Sequence, residues 1–581
     1  MDFPATVVCL RPVQAITPLW QGVPLRTRCG AAALATLLLI GAAPAAAGPT
    51  AVTPPTIGSA NTVTADPTVA RPATTPCRVA LFTNLQFADF NAKLFPYAPS
   101  PACPGPWQKV VLEADFSVEA GRQFDRTAEL WIGGANIYFG TTAEPSAGTA
   151  RAWHIERDLT DYSALLAQPS TGRADLGNLV DSTYTSSLWA TADIAFYPLA
   201  HDEDGHRAAP ATPDIVLPLS ASATGGTVAL GDAVTPLSAT FQLPKNIERA
   251  VLDVVLQHQG ANDEFWYTCV PTALAGALQS CSGTAFREGQ LSIDGQPAGV
   301  VPIYPWIFTG GIDPYLWRPI PAPQALNFVP YRVDVTPFAA LLDDGLPHTF
   351  AITVTNDSNY FSSTASLLLY LDHGSQQLSG ALTANTIGAP APAIVPNLTT
   401  TADGTVSGTV STTSSREFVL SGWVQTSHGR VSTELKQKID FSNVQQFVSP
   451  AALPETFVQN ITQSTTIASS TRVRKDGDET RQTTHLSWPL TVNLSLNIGA
   501  DGSFTQTGSI TEAYKRVDVQ GDRRSVVSNS GQWGDTYPSR TGQAGTQRYF
   551  SLGPDGSCYS RTLTAAAGVL GTIVDGIGCR E

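Results

Sequence analysis

Hydrophobic and polar residues alternate with period two in the clearest stretches of the chain. Phe350, Ile352 and Val354 share one face, with Thr349, Thr353 and Thr355 on the other. Leu490, Val492, Leu494, Leu496 and Ile498 are interleaved with Thr491, Asn493, Ser495 and Asn497. Successive side chains of a strand point to opposite faces, so this alternation predicts strands buried on one side only. No segment holds a helical period beyond about two turns. The pattern predicts an all-β protein of sandwich type, with strand signals starting near Val79.

A nine-residue pattern occurs twice. Asp158-Leu-Thr160-Asp-Tyr162-Ser-Ala-Leu-Leu166 returns as Asp334-Val-Thr336-Pro-Phe338-Ala-Ala-Leu-Leu342. Each copy reads as a strand end, a Thr N-cap and a short helical turn. A second, looser pair precedes them in the same order. Phe124-Asp125-Arg126 leads into Leu130-Trp131-Ile132, and Phe286-Arg287-Glu288 leads into Leu291-Ser292-Ile293. Two matches in one order predict two similar β domains in tandem, and domain interfaces are favoured places for ligand sites. The expected division is a leader over 1–47, a Pro/Thr/Ala-rich linker over 48–76, one sandwich over 77–235 and a second over 236–376. A Pro/Ala linker over 377–396 then leads to a C-terminal β module over 397–581.

Charged residues make up only 14% of the 581 residues and hydrophobic ones 43%, which suits many strands joined by turns. The net charge of -14 argues against nucleic acid and anionic membranes as partners and is silent about neutral sugars. Arg26 and Arg28 precede an apolar run from Ala31 to Ala43 and then Ala45-Ala46-Ala47. This predicts a secretory signal and a secreted or periplasmic protein; a start near Val23 would give a leader of more ordinary length. Six cysteines remain after the leader: Cys77, Cys103, Cys269, Cys281, Cys558 and Cys579. An even number in an exported chain points to disulfides, and sequence proximity favours Cys77–Cys103, Cys269–Cys281 and Cys558–Cys579. Their spacing suits no zinc site, and neither metal nor cofactor is expected. His201-Asp-Glu-Asp-Gly-His206 reads as a solvated loop.

Two carboxylate segments stand out. In Arg122-Gln123-Phe124-Asp125-Arg126, neighbouring Asp and Arg point to opposite faces of a strand, so one of them faces inward or into a cleft. The stretch from Gln257 to Tyr267 gathers His258, Asp263, Glu264 and Trp266 among amides and aromatics after the apolar strand Val251 to Leu256. Rings that stack on sugar CH faces, beside amides and carboxylates that take hydroxyl hydrogen bonds, are what sugar binding requires. A third cluster, Tyr304, Trp306, Phe308, Tyr315, Trp317 and Arg318 around Gly310-Gly311, reads either as a core plug or as a glycan-stacking wall.

Together these stretches resemble the peptide-N4-(N-acetyl-β-glucosaminyl)asparagine amidase A family. The resembling residues are Cys103-Pro-Gly-Pro-Trp107, Phe124-Asp125-Arg126, Thr142-Ala-Glu144-Pro145, Asp181-Ser-Thr-Tyr-Thr185, Leu243-Pro-Lys-Asn246, Asp263-Glu-Phe-Trp-Tyr267, Phe308-Thr-Gly-Gly-Ile312 and Leu316-Trp-Arg-Pro319. The glycanase F type enzymes are similar more remotely. The resemblance implies two tandem eight-stranded jelly rolls with the active site at their junction. It implies an amidase that cuts the bond between an asparagine side chain and the first N-acetylglucosamine of an N-glycan. The glycan leaves as a glycosylamine and Asn becomes Asp.

By the same resemblance Asp125, Arg126 and Glu264 are the catalytic set. The expected roles are Asp125 on the attacking water, Arg126 on the oxyanion, and Glu264 in positioning or protonation. Glu144, Asp181, His258, Asp263, Trp266, Trp306, Trp317 and Arg318 are expected to contact substrate. The chain departs from the glycanase F pattern where a second glutamate is due, which leaves a third carboxylate role open between Asp181 and Glu144. The partners expected are N-glycopeptides or N-glycoproteins, and the protein is expected to act as a monomer. The competing readings are a glycoside hydrolase using the same carboxylates and a noncatalytic glycan-binding protein.

Overall fold

The structure is a computed structural model. It describes residues 48–52, 54–199, 210–231, 235–260 and 262–576. The leader, the His201–His206 segment and Cys579 lie outside the described residues. The chain is all-β with several sheets.

The first set of strands is β1 (Cys77–Phe87), β2 (Lys93–Tyr97), β3 (Trp107–Val118), β4 (Thr127–Ile132), β5 (Ala135–Thr141), β6 (Arg151–Asp158), β7 (Ser170–Asp175) and β8 (Leu188–Pro198). They form two four-stranded sheets, β1-β8-β3-β6 and β2-β7-β4-β5. The second set is β9 (Ile215–Leu219), β10 (Val228–Leu230), β11 (Leu237–Gln242), β12 (Ile247–Gln259), β13 (Glu288–Ile293), β14 (Gln296–Pro302), β15 (Tyr331–Asp334), β16 (Pro347–Thr355) and β17 (Tyr360–Leu371). Its sheets run β10-β17-β12-β15 and β11-β16-β13-β14, with β9 beside β17. Counted from β1 and from β10, the two orders coincide. Residues 215–230 therefore pair with the second set, although the expected division at 235/236 puts them with the first.

The repeated nine residues occupy equivalent places, after β6 and after β15. Each forms a 3-10 turn and one α-helical turn, over Thr160–Tyr162 and Ser163–Leu166 in the first and Thr336–Phe338 and Ala339–Leu342 in the second. The expected Thr cap is absent from both. The Asp does that work: Asp158 Oδ1 accepts from Thr160 N and Asp334 Oδ1 from Thr336 N, each at 3.0 Å. The Thr hydroxyls instead accept from the neighbouring strand, at 3.1 Å from Val110 N and 3.3 Å from Ala250 N. The duplicated residues thus lock each turn onto β3 or β12.

The remaining strands form one antiparallel sheet: β18 (Ser379–Asn385), β19 (Ala393–Thr400), β20 (Val406–Thr426), β21 (Gly429–Ser449), β22 (Glu455–Lys475), β23 (Asp478–Ile498), β24 (Phe504–Gln520), β25 (Arg523–Tyr537), β26 (Ala544–Leu552), β27 (Cys558–Ala566) and β28 (Val569–Asp575). Much of the expected linker 377–396 is therefore strand, because β18 and β19 both pair with β20. Alternation along β20 to β24 gives the sheet one apolar face. Phe418, Leu435, Phe441, Trp488 and Ile510 on that face share a single core with the second sandwich. The described residues of 48–76 form no strand, as a linker should, yet the stretch is pinned. Val63 and Ala65 are buried, Ala65 N donates to Gln547 Oε1 at 2.7 Å, and Arg71 pairs with Glu113 and Glu156 at 2.7 Å each.

The two sandwiches meet edge to coil. Tyr138 Oη and Thr141 N donate to the carbonyls of Leu326 and Ala325, and Phe328 N donates to Phe139 O. Disulfides join Cys77 to Cys103 and Cys269 to Cys281. Cys558 is also disulfide-bonded. No helix among the described residues is long and apolar enough to cross a membrane.

Candidate active site

At this junction each sandwich contributes charged side chains from coil next to its strands. Asp125 and Arg126 stand immediately before β4, and Glu144 follows β5. Glu264 lies five residues past the end of β12. The chain leaves β12 through Gly260 at φ +76, where a Cβ would strike Asn359, and Glu264 N closes the turn on Gly260 O at 2.8 Å. The coil after β14 brings Gly310 and Arg318 to the same place. Thr309 Oγ1 donates to Thr142 O, and Arg318 Nη2 donates to Pro145 O at 2.7 Å, so this coil is tied to both sides of Glu144.

Burial and like charge dominate the electrostatics. Asp125 is pushed well above the usual carboxylate range by burial and then by the charges of Glu144 and Glu264. Arg126 and a hydrogen bond from the Gly310 N–H only partly offset this. Glu144 is raised by burial against the opposing pull of Arg126 and Arg318, and burial raises Glu264 to about 7. Three carboxylates held this way cannot all ionise at neutral pH, so at least one keeps a proton. The site therefore holds at least one carboxyl able to donate a proton.

The cations are fixed from behind. Arg126 Nη1 donates to Asn178 Oδ1 at 2.6 Å, and its other nitrogens reach Phe124 O. Asn178 is fully buried and donates in turn to Phe87 O and Ser186 O. Burial lowers Arg126 to about 10, and Arg151 likewise with help from the charge of Arg318. Asn178 and Arg151 are not legible as site residues, since neither carries a catalytic signature in the sequence, whereas Gly310 stands in the family-like stretch Phe308-Thr-Gly-Gly-Ile312.

Several expected contacts with substrate are overturned. His258 is fully buried in β12 among Trp306, Trp266 and Phe361, which holds it neutral with its pKa lowered to about 4. Asp263 is fully buried too; it pairs with Arg287 at 2.9 Å and accepts from the N–H groups of Ser358 and Asn359. It is a peg for the coil that carries Glu264. Trp266, Trp306 and Trp317 are core residues packed on Phe441, Phe328 and Trp533, so the aromatic cluster is a plug rather than a stacking wall. Asp181 is exposed and spends its carboxylate on the N–H groups of Thr183 and Tyr184. Of the two carboxylates left open for a third role, Glu144 is the one inside the cluster.

An aromatic surface lies instead at the rim beside Arg126. Phe124 sits under the Arg126 guanidinium at 4.1 Å, meets Tyr184 edge-on at 5.0 Å and stacks with Phe90 at 6.3 Å. Phe90 is 67% exposed. Phe90 carried no signal in the sequence because it stands alone in a polar turn.

The family model for peptide N-acetyl-beta-D-glucosaminyl asparaginase amidase A matches residues 67–386. The peptide-N4-(N-acetyl-beta-glucosaminyl)asparagine amidase A of Prunus dulcis is 34% identical over 399 residues, covering 64% of this chain and 67% of the relative. Among solved structures, PNGase F from Flavobacterium meningosepticum aligns at a TM-score of 0.34 and 14% identity, over 51% of this chain and 96% of that one. PNGF-II aligns at 0.35 and 13%, over 51% and 66%.

Proposed function

The chain belongs to the peptide N-acetyl-beta-D-glucosaminyl asparaginase amidase A family, and on that premise we propose that it hydrolyses the amide between asparagine and the first sugar of N-glycopeptides. It is an enzyme of the asparagine amidase type. The observation that carries the reading is the convergence of Asp125, Glu144 and Glu264 with Arg126 and Arg318 where the two strand sets meet. We read β1–β8 and β10–β17 as two eight-stranded jelly rolls, with β9 as an added strand beside β17.

Hydrolysis of an unactivated amide needs a base for water, a fixed cation for the oxyanion and a proton for the leaving nitrogen. The cluster holds all three kinds of group. Burial and two acidic neighbours raise Asp125, and burial raises Glu264 to about 7, so both are fitted to exchange protons near neutral pH. One of the two acids donates to the leaving nitrogen while the other takes the proton from water. Arg126, held by Asn178, faces the developing oxyanion, and the charge of Glu144 raises the pKa of Asp125. The rim of Phe90, Phe124 and Tyr184 stacks on sugar CH faces. The products are a glycosylamine and a peptide with Asp in place of Asn. Paired cysteines and the leader pattern support action outside the cytoplasm.

The test is mass spectrometry of an N-glycopeptide treated in water enriched in heavy oxygen. A deglycosylated peptide with labelled Asp is the expected product. A peptide still carrying N-acetylglucosamine would move the activity to glycoside hydrolysis, and an untouched glycopeptide would leave a binding protein.

A further inference from the structure

The inward face of the C-terminal sheet is not purely apolar. A row of amides on it is buried: Asn443, Gln445, Gln459 and Gln463 at 0–1% exposure, with Gln506 and Gln543 at 3% and 5%. Burying an amide costs free energy unless its hydrogen bonds are made. The N–H donors of Asn443, Gln445, Gln459, Gln506 and Gln543 are paired, and mostly to the backbone of the two coils that furnish the site, while Asn443 Oδ1, Gln459 Oε1 and Gln463 Nε2 have no partner.

The first set holds the coil just after Glu264. Asn443 Nδ2 donates to Tyr267 O at 2.9 Å, Gln459 Nε2 to Thr268 O at 3.0 Å and Gln445 Nε2 to Cys269 O at 2.8 Å. The amides also interlock, Asn443 with Gln463 at 3.0 Å and Gln459 with Gln445 at 2.7 Å. The second set holds the coil that carries Gly310 and Arg318. Gln506 Nε2 donates to Ile312 O at 2.8 Å, and Trp533 Nε1 donates to Ile320 O at 2.9 Å. Gln543 Nε2 reaches both Tyr315 O and Arg318 O, at 3.1 and 2.9 Å.

Apolar burial is non-directional and would hold these coils against the sheet without fixing their rotation or register. Hydrogen bonds to carbonyls are directional, and each amide meets its carbonyl at one register only. Three consecutive carbonyls, at Tyr267, Thr268 and Cys269, are taken by three different side chains of β21 and β22. Such a match fixes Glu264 relative to the sheet from three residues away. The same holds for Arg318 through Gln543, which is itself set by donation from Gly568 N to its Oε1 at 2.6 Å.

We propose that the C-terminal sheet is a positioning element for catalysis, acting through Gln445, Gln459 and Gln543 to set the backbone that aims Glu264 and Arg318. This rests on the amidase reading above. It gives residues beyond the two sandwiches a part in the reaction, although none of them touches the substrate.

The test compares wild type with Gln459→Met and Gln543→Met, which keep bulk and remove the donor, and with Gln459→Glu and Gln543→Glu, which can donate only when protonated. The Met variants are expected to lose on the order of tenfold or more in kcat, since small misplacement of reacting groups is costly, with KM held within about twofold. The Glu variants are expected to approach wild type as the pH falls and to lose activity relative to it as the pH rises. Hydrogen exchange is expected to quicken over 263–270 in the Gln459 variants and over 311–320 in the Gln543 variants, and to stay unchanged over 123–145. Folded Met variants with wild-type kcat, or a Glu-to-wild-type activity ratio that does not depend on pH, would overturn the proposal. A wild-type protein that cleaves nothing would sink the amidase reading alone; exchange then decides, and unchanged protection at both coils would overturn the positioning role as well.

Discussion

A methyl group on Gly310 would overlap the carboxylate of Asp125, standing 2.9 Å from its Cγ. The Gly310 N–H is a hydrogen-bond donor to that same carboxylate. The glycine thus lets one sandwich's backbone close onto the other's acid. Gly310→Ala must move either the coil or Asp125. We expect kcat to fall about a hundredfold, the usual scale for misplacement by roughly 1 Å, while thermal melting shifts by only a few degrees. Wild-type kcat in a folded Gly310→Ala would show that Asp125 is not held by this approach.

Replacing the two acids separately distinguishes chemistry from architecture. Asp125→Asn and Glu264→Gln are each expected to lower kcat by about 10²–10⁴-fold. Asp125→Asn should leave the melting temperature unchanged or raised, because it removes an ionisable group buried beside two others. A kcat within a few-fold of wild type for Asp125→Asn, read in the glycopeptide assay, would remove Asp125 from the mechanism.

Asp263 makes the opposite prediction, although it adjoins Glu264. Its ion pair with Arg287 has no exposed atoms, and breaking one side of such a pair costs about 3–5 kcal/mol. Arg287→Met is expected to lower the denaturant midpoint strongly, and KM of the protein that remains folded should stay within about twofold. A selective rise in KM with normal stability would return Asp263 to the substrate contacts.

The aromatic rim is tested by Phe90→Ala. The ring is mostly exposed and belongs to no core cluster, so stability should not change. A lost stacking contact of about 0.5–1.5 kcal/mol corresponds to roughly a two- to tenfold rise in KM. Unaltered KM across glycopeptides of different glycan length would show that the sugar does not reach this rim.

Stability should fall as the medium becomes alkaline. Burial raises Glu129 and Glu512 to about 8 and Glu264 and Asp343 to about 7. A carboxyl whose folded pKa exceeds its unfolded value binds its proton more tightly when folded. Its stabilising share is complete below the unfolded value near 4.5 and is lost as pH rises through about 8. The melting temperature is therefore expected to drop by several degrees from mildly acidic conditions to pH of about 8, and Glu512→Gln should flatten that slope. Scanning calorimetry across this range checks both, and a slope unaffected by Glu512→Gln would exclude that residue as a source.

The parts of this molecule that were readable in the sequence are those set by local rules. Period-two alternation marked β16 and β23, and the nine-residue repeat marked equivalent corners of the two strand sets. Asp125-Arg126 and Glu264 stood out because charge next to strand needs a reason. What could not be read depends on partners far along the chain. Trp317 looks like a sugar platform until Trp533 is seen against it, and Trp266 until Phe441 covers it. Asp263 and Glu264 are chemically alike neighbours; only the remote Arg287, Ser358 and Asn359 separate the peg from the reactive acid.

The pinned stretch around Ala65 has a consequence in time. Ala65 N bonds a side chain 482 positions later, and Asp66 bonds Asn529. A ribosome makes this stretch hundreds of residues before these partners. Val63 N can bond Pro319 O once the second sandwich is made, but Ala65 and Asp66 must wait for Gln547 and Asn529. Closure of the C-terminal sheet over the second sandwich and full capture of this earlier segment must therefore follow synthesis of β26, so the active-site coils reach their final setting only after that strand is made.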